Sequence, residues 1–155
     1  MTAVESFVEE LGLISQENGG TRIAGRIVGL LLAEGGKLSL AQISERLGVS
    51  RASVSTNARL LTRRGALRLT THAGSRQDYY ELSGLPFFDV LEDLAGQFIR
   101  HGQTIARCVD GMRSEDPQAA ARAEELNRFF DQSAAFLKNW SDTLRSEASP
   151  RKDEQ

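Results

Sequence analysis

The chain has 155 residues, of which 40% are hydrophobic and 26% are charged, and its formal net charge is −2. This composition is typical of a globular protein with one core, and no apolar run approaches the roughly 18 residues of a membrane-spanning helix. One cysteine excludes an intramolecular disulfide, and no cysteine–histidine cluster has metal-ligand spacing. We therefore expect no metal or other cofactor and no membrane insertion. The N-terminal residues lack a secretory pattern, so we expect a cytoplasmic protein.

The N-terminal part of the chain predicts two helices. Apolar residues recur at helical spacing over residues 2–16, and Thr2 with Glu5 has the spacing of a capping box. A second helix opens at Thr21 and is apolar on nearly every side, which predicts a central, buried position. Its two glycines one turn apart, Gly25 and Gly29, would let another helix approach closely.

Two further helices and a hairpin follow. The third helix covers about residues 39–47, and the fourth, capped by Ser50, runs over residues 50–64. The period then changes, because residues 66–72 and 78–82 are rich in β-forming side chains and a turn-like "AGSRQ" lies between them. We expect a hairpin of two short strands.

The C-terminal half predicts two long amphipathic helices. Pro86 is placed at the start of the first, and "SEDP", with Asp116 as cap and Pro117 at the first helical position, separates it from the second. The first carries a heptad stripe of Phe87, Leu91, Leu94, Phe98, His101, Ile105, Cys108 and Met112. The second carries Leu126, Phe130, Ser133, Leu137, Trp140 and Leu144, widened by Phe129 and Phe136.

These elements predict a fold that is mainly α with a small β-hairpin, an α+β arrangement. A helix, a three-residue turn, a second helix and a hairpin make a winged helix-turn-helix, which we assign to residues 18–84. Residues 1–17 form an N-terminal dimerisation helix, and residues 85–146 form C-terminal dimerisation helices. Residues 147–155 are expected to be a disordered tail.

The charge pattern indicates what the helix-turn-helix contacts. Residues 46–77 contain seven arginines and no Asp or Glu, which leaves 12 basic and 21 acidic residues elsewhere. A basic island on an acidic body indicates a localised contact with a polyanion. The alternative is a solvated surface on which the arginines fall by chance.

The fourth helix has the pattern of a recognition helix for duplex DNA. Val54, Ala58 and Leu61 share one face and should pack inward. Small, hydroxyl, amide and arginine side chains on the other faces suit base edges and phosphates in the major groove, and an arginine at the wing tip suits the adjacent minor groove. The candidate DNA contacts are Ser50, Arg51, Ala52, Ser53, Ser55, Thr56, Asn57, Arg59, Arg63 and Arg76.

The stretch from "LSLAQISERLGVSRASVSTNARLLTRRGALRL" to "AGSRQDYYEL" resembles the MarR family. It is most similar to the GbsR-like branch, through "TRIAGRIVGLLL", "SVSTNARLL" and the "YY" after the wing, and to members that repress efflux or lipid-transport pumps. The resemblance implies a ligand-controlled repressor that binds a pseudo-palindrome as an obligate homodimer. Many wings of the family carry Asp before the tip arginine, whereas Ser75 precedes Arg76 here.

The long apolar stripes also predict a dimer, because a head of this size cannot cover them. The candidate interface residues are Phe7, Leu11, Phe130, Leu137, Trp140 and Leu144. The alternative is an intramolecular helical hairpin that needs no partner.

The aromatic residues of the last helices suggest a small-molecule site. An apolar effector bound between the head and the dimer helices would shift the spacing of the heads. The candidate pocket residues are Phe87, Phe88, Leu91, Phe98, Phe129 and Phe136, and the alternative is that they form only a core. We expect Cys108 to be a small buried apolar residue, and His101 to be a hydrogen-bonded core residue or an interface residue.

Two other classes of function are the alternatives to DNA binding: a protein-binding module and an enzyme. A winged-helix module that binds proteins would lack the steep salt dependence that phosphate neutralisation predicts. An enzyme would need a nucleophile–base pair, a metal set, a phosphate-binding loop or paired carboxylates, and the sequence contains none of these patterns. We therefore expect a non-enzymatic DNA-binding regulator.

Overall fold

A computed structural model describes residues 1–71, 73–84 and 88–148. Within these ranges the chain is mostly helical, as predicted, with six helices and three short strands. In chain order they are α1 (Ala3–Glu17), α2 (Arg22–Glu34), β1 (Leu38–Ser39), α3 (Leu40–Leu47), α4 (Arg51–Arg63), β2 (Leu67–Thr71), β3 (Asp78–Leu82), α5 (Phe88–Glu115) and α6 (Pro117–Ala148). The chain divides into two compact units, residues 1–87 and residues 88–155.

Helix α2 lies at the centre of the first unit, as its apolar sequence predicts. It contacts α1, α3, α4 and β3. Ile27 and Leu31 of α2 are fully buried, together with Ile43 of α3 and Val54 of α4. Because each large apolar side chain of this kind contributes roughly 1.5–3 kcal/mol on burial, this cluster holds the helix-turn-helix on α2.

Local capping chemistry sets the helix ends around the turn. Ser39 and Gln42 form a capping box at the start of α3, in which each backbone amide donates to the other residue's side chain, at 2.8 and 3.1 Å. The helix ends at Gly48, whose φ of 63° is the left-handed conformation that glycine adopts without a steric penalty. Ser50 then caps α4 by accepting from the Ser53 amide at 3.1 Å.

The hairpin is part of a three-stranded antiparallel sheet with the order β1-β3-β2. β2 and β3 occupy the predicted positions, and Leu69 lies opposite Tyr80. Strand β1 was not predicted from sequence: it pairs Leu38 with Tyr80 and Ser39 with Tyr79. Two residues are too few for an alternating pattern, so only pairing with β3 reveals the strand. His72, which the sequence placed in the hairpin, lies outside the described residues.

Helices α1 and α2 pack backbone to backbone, at the glycines expected to permit it. A Cβ atom added to Gly25 would lie 2.1 Å from the carbonyl oxygen of Leu11, and one added to Gly29 would lie 3.1 Å from the Cα of Val8. Leu11 is buried against α2 of its own chain, and its assignment as a dimer-interface residue stays a prediction. Phe7, the other interface candidate on α1, has 43% of its surface exposed.

The second unit is a hairpin of α5 and α6. Two ion pairs, Glu92 with Arg145 and Arg113 with Glu124, join opposite ends of the helices and show that they run antiparallel. Asp116 caps α6 as predicted, because its carboxylate accepts from the amides of Gln118 and Ala119 at 3.1 and 2.9 Å.

Small residues, rather than the predicted large apolar stripe, form the buried seam of this hairpin. The buried positions are Ala95, Gly102 and Val109 on α5, and Ala120, Ala134 and Ser141 on α6. The two helices pack closely against each other, and a Cβ atom on Gly102 would lie 2.8 Å from the side-chain Oδ1 of Asp131 on α6. The close approach leaves no room for large side chains in the seam, and they lie on its flanks, half-buried or exposed.

Two residues of the predicted stripe differ from expectation. Cys108 is exposed in the protomer, so its prediction as a buried apolar residue is wrong. His101 is also exposed, and its ring packs edge-on against Phe130 with 5.4 Å between centroids. It is therefore not a core residue of this unit, and a role at an interface remains a prediction. Pro86, Phe87 and the expected tail lie outside the described residues.

Candidate nucleic-acid interface

The inner face of α4 orients the rest of the helix. Val54 and Ala58 are fully buried, and Leu61 packs against the same core, which confirms the predicted inner face. Because side chains three and four residues apart share a face, anchoring these three exposes the opposite face to solvent. Arg51, Ala52, Thr56, Arg59 and Arg63 are all exposed.

Hydroxyl residues surround the N-terminal turn of α4. Ser50 is exposed, and its hydroxyl accepts from the Ser53 amide and donates to the Ser53 hydroxyl at 3.0 Å. Ser53 and Ser55 are half-buried beside the exposed face. A helix N-terminus with small side chains and polar groups favours a negatively charged ligand, because its amide dipoles point outward.

Asn57 does not belong to this exposed surface. Only 8% of the residue is accessible, and its amide is occupied at both ends. Its Nδ2 donates to the carbonyl oxygen of Ser53 at 2.8 Å, and its Oδ1 accepts from the hydroxyl of Thr21. Asn57 is therefore occupied within the protomer, and its contact with DNA stays a prediction that no observation here supports. The residue lies directly before Ala58, on the edge of the buried face, where its side chain meets the start of α2.

Ion pairs distinguish two groups among six of the seven arginines of the basic island. Arg46 pairs with Glu34, and Arg68 pairs with Glu81 at 2.7 Å, so the charges of both are compensated locally. Among the described residues, no carboxylate lies within ion-pair distance of four others, which are Arg51, Arg59, Arg63 and Arg76. These four concentrate positive charge on α4 and the wing.

Arg59 lies where α4 meets the sheet. Its Nε donates to the carbonyl oxygen of Ser55 at 3.3 Å, which draws the side chain back along the helix. Burial, followed by the charge of Asp78, raises the pKa of Tyr80 above its usual value, and the positive charge of Arg59 partly offsets this rise in pKa. The guanidinium thus lies close enough to the sheet to influence a buried phenol there.

The wing tip presents Arg76 to solvent. Gly74, at φ 83°, allows the reversal of the chain, and the Ser75 hydroxyl accepts from the Gln77 amide at 3.2 Å. Ser75 therefore closes the local turn. Arg76 is exposed at this tip.

The aromatic candidates of α5 and α6 partly come together. The ring centroid of Phe98 lies 6.2 Å from that of Phe129 and 5.6 Å from that of Phe130. Beside them lies an open groove of about 380 Å³, lined by Leu94, Phe98, Gln132, Ser133, Phe136 and Leu137. Leu91 is half-buried, Phe87 lies outside the described residues, and no side-chain placement is described for Phe88.

The dimer-interface candidates of α6 differ in exposure. Trp140 is exposed over 46% of its surface, whereas Phe130, Leu137 and Leu144 are half-buried beside the seam. Within the described ranges, no three His, Cys, Asp or Glu side chains are grouped closely enough to hold a metal ion. No helix in those ranges has the length and hydropathy required to cross a bilayer.

Sequence reasoning missed two polar residues that hold the helix-turn-helix. The hydroxyl of Thr21 bonds Asn57, 36 positions along the chain, and Arg26 bonds the carbonyl of Leu47 at 2.8 Å. Neither contact has a periodic signal, because each joins two elements across the fold. An unusual polar residue beside the apolar face, such as Asn57 between Val54 and Ala58, was the available indication.

Comparison with known proteins supports the winged helix. Residues 18–78 match the profile of the MarR family. The chain is 34% identical over 80 residues to the HTH-type transcriptional regulator MmpR5 of Mycobacterium tuberculosis, and the match covers 51% of this chain and 48% of that protein. The chain thus spans about half the length of this curated relative.

A solved structure extends the likeness in fold. A crystal structure of a transcriptional regulator superimposes with a TM-score of 0.62 at 22% identity, covering 94% of this chain and 99% of the other. At this identity the likeness concerns the fold. Residues 18–78, which match the MarR family model, fold in their described part as helices, a turn and a hairpin in the order of a winged helix-turn-helix.

Proposed function

We propose that the protein is a sequence-specific DNA-binding transcriptional regulator that inserts α4 into the major groove and the wing tip into the adjacent minor groove. The observation that carries this proposal is the exposed face of α4. It combines small side chains with Arg51, Arg59 and Arg63, which have no carboxylate partner in the described part of the chain. Arginine without a local counter-charge is available for phosphates and guanine edges.

We infer that the DNA-bound form is a homodimer. Several large apolar side chains of α6 are exposed in the protomer, including Phe129 at 56% and Phe136 at 68%. Leaving each in water forgoes on the order of 1.5–3 kcal/mol, and a second copy of the chain would cover them. Two heads about 34 Å apart, one turn of DNA, would read a pseudo-palindrome.

Selection of DNA by the full chain tests both proposals. Random-sequence duplexes are passed over the protein at about 150 mM salt, and bound duplexes are amplified and sequenced. We expect an enriched sequence with two inverted half-sites about 10 base pairs apart, centre to centre. Sedimentation of the protein alone should give the mass of two chains. Enrichment of no sequence would contradict DNA readout, and a stable monomer would contradict the dimer.

We further propose that the protein is a ligand-responsive repressor of the GbsR-like branch, with the aromatic residues of α5 and α6 receiving an apolar effector. The groove beside Phe98 and Phe136 supports a site of this chemistry. An effector that binds better to a dimer with altered head spacing would weaken DNA binding by the ratio of its two affinities.

Titration of effectors against the protein–DNA complex tests this ligand response. Oleate, a substituted phenol and a cationic amphiphile are each added to a labelled selected duplex bound by the protein. At least one should release the duplex from the native protein and release it less readily from Phe136→Ala. Sedimentation checks that this variant has the same mass as the native protein. Unchanged DNA affinity with all three probes would count against an apolar effector.

A further inference from the structure

A chain of hydrogen bonds connects the N-terminal helix to the middle of α4. The Ser15 hydroxyl of α1 donates to the carbonyl oxygen of Thr21 at 2.9 Å. The Thr21 hydroxyl accepts from the Ala24 amide at 3.0 Å and donates its proton to Oδ1 of Asn57. Asn57 then donates to the carbonyl oxygen of Ser53 at 2.8 Å. The bonds thus run from α1 through the start of α2 into the first turns of α4.

The direction of each bond follows from the chemistry of the groups. A hydroxyl has one proton to donate, and Thr21 gives it to Asn57 while its lone pair caps α2. The amide of Asn57 is therefore oriented, with its oxygen toward α2 and its nitrogen toward the backbone of α4. Ser15 and Asn57 are both only 8% exposed, so water has little access to these two residues of the hydrogen-bonded series.

A second polar link holds the other side of the turn from the same pair of helices. Nη2 of Arg26 on α2 donates to the carbonyl oxygen of Leu47, the last residue of α3, at 2.8 Å. Nε of Arg26 lies 2.7 Å from a carboxylate oxygen of Glu9 on α1, as an ion pair. The hydrogen bond from Arg22 is the largest cause that lowers the pKa of Glu9, and the charge of Arg26 lowers it further, so this carboxylate is ionised at neutral pH. Polar contacts thus connect α1, through residues of α2 and its N-cap, to both α3 and α4, the two helices of the helix-turn-helix.

We propose that Thr21 and Asn57 are positioning residues that set the placement of α4 on the α1–α2 pair and thereby the DNA sequence the protein prefers. This inference rests on the proposed DNA-binding function and deepens it. Apolar packing of Val54 and Ala58 holds α4 down but does not fix its direction, because the hydrophobic effect is non-directional. A hydrogen bond requires a narrow range of distance and angle, so it restrains sliding and rotation of the helix. Readout of base edges needs placement within about 0.5 Å.

Four variants of the full chain test the proposal against the selected duplex and against a duplex with both half-sites scrambled. Thr21→Val removes the hydroxyl, Asn57→Leu removes the amide, and the third variant combines both changes. Thr21→Ser is the matched control, because it keeps the hydroxyl that caps α2 and bonds Asn57. Thr21 is exposed, so the valine introduces no buried void.

We expect Thr21→Val and Asn57→Leu each to lower affinity for the selected duplex about three- to tenfold, the effect of losing one or two oriented hydrogen bonds. Affinity for the scrambled duplex should not change, because phosphate contacts tolerate small displacements. The double variant should be no weaker than Asn57→Leu alone, and Thr21→Ser should match the native protein. The inference would be overturned if both single variants kept the native ratio of affinities for the selected and the scrambled duplex and only their melting temperatures fell. Thr21 and Asn57 would then have a purely structural role.

Two further results separate the explanations. If Asn57→Leu loses discrimination and Thr21→Val does not, Asn57 acts alone and the link to α2 is not what positions α4. Hydrogen exchange of the α4 amides decides the positioning role without DNA: Thr21→Val should speed exchange in α4, and Thr21→Ser should not. A native protein that selects no DNA sequence would contradict the proposed function, while unchanged exchange in Thr21→Val would contradict the positioning role.

Discussion

Replacing Arg59 with alanine is expected to lower affinity for the selected duplex about ten- to hundredfold while the fold stays intact. The side chain is exposed and has no carboxylate partner in the described ranges, so its removal leaves no buried charge behind. A guanidinium that pairs with a guanine edge contributes about 1–3 kcal/mol of discrimination, and 1.4 kcal/mol corresponds to a factor of ten. Fluorescence anisotropy with a labelled duplex measures the affinity, and circular dichroism checks the fold.

A second arginine, measured at several salt concentrations, and a control arginine extend the test of Arg59→Ala. Arg76→Ala at the wing tip should also weaken binding, and loss of a phosphate contact should reduce the slope of log affinity against log salt by about 1. Arg68→Ala is the control, because this exposed wing arginine is already paired with Glu81 at 2.7 Å. Its affinity should change much less than that of Arg59→Ala. If Arg59→Ala and Arg76→Ala both retain full affinity, the proposed docking of α4 and the wing is wrong.

Among glycine-to-alanine substitutions in the first unit, Gly25→Ala should cause the largest loss in the free energy of unfolding. The added Cβ would lie 2.1 Å from the Leu11 carbonyl oxygen and 2.8 Å from the Cα of Gly12, both of them backbone atoms. Backbone cannot rotate aside as a side chain can, so α1 must move away from α2. Overpacking of this kind costs about 3 kcal/mol, and urea unfolding followed by circular dichroism measures it.

Two other glycines make graded controls for Gly25. Gly29→Ala should cost less, because its Cβ would lie 3.1 Å from the nearest atom and needs only a small adjustment. Gly111→Ala in α5 meets nothing within 4 Å in the protomer and should be neutral or stabilise the helix by up to about 1 kcal/mol. A Gly25→Ala protein as stable as the native one would show that the two helices do not pack as closely as described.

The spacing of residues along the chain was sufficient to predict the helices, the hairpin and the inner face of α4. Capping pairs such as Thr2 with Glu5 act over three residues, and the line of Val54, Ala58 and Leu61 follows from 3.6 residues per turn. These signals are local, so they do not depend on what the element packs against. The exposed arginines of α4 were predictable for the same reason.

Contacts between distant elements decided the remaining features. Sequence alone does not distinguish Arg59, which has no described counter-charge, from Arg46 and Arg68, which Glu34 and Glu81 compensate. Strand β1 exists because β3 lies beside it, and Asn57 is buried because Thr21 meets it at the edge of α2.

The hairpin of α5 and α6 shows most clearly what periodicity cannot determine. Both the large apolar stripe and the line of Ala95, Gly102 and Val109 repeat every seven residues, so the pattern allows either to face the partner helix. Small residues on both helices let the helices pack closely, and that packing excludes the large side chains from the seam. The sequence by itself determined which residues share a face; the tertiary structure decided which face is buried, because burial depends on the shape of the neighbouring element.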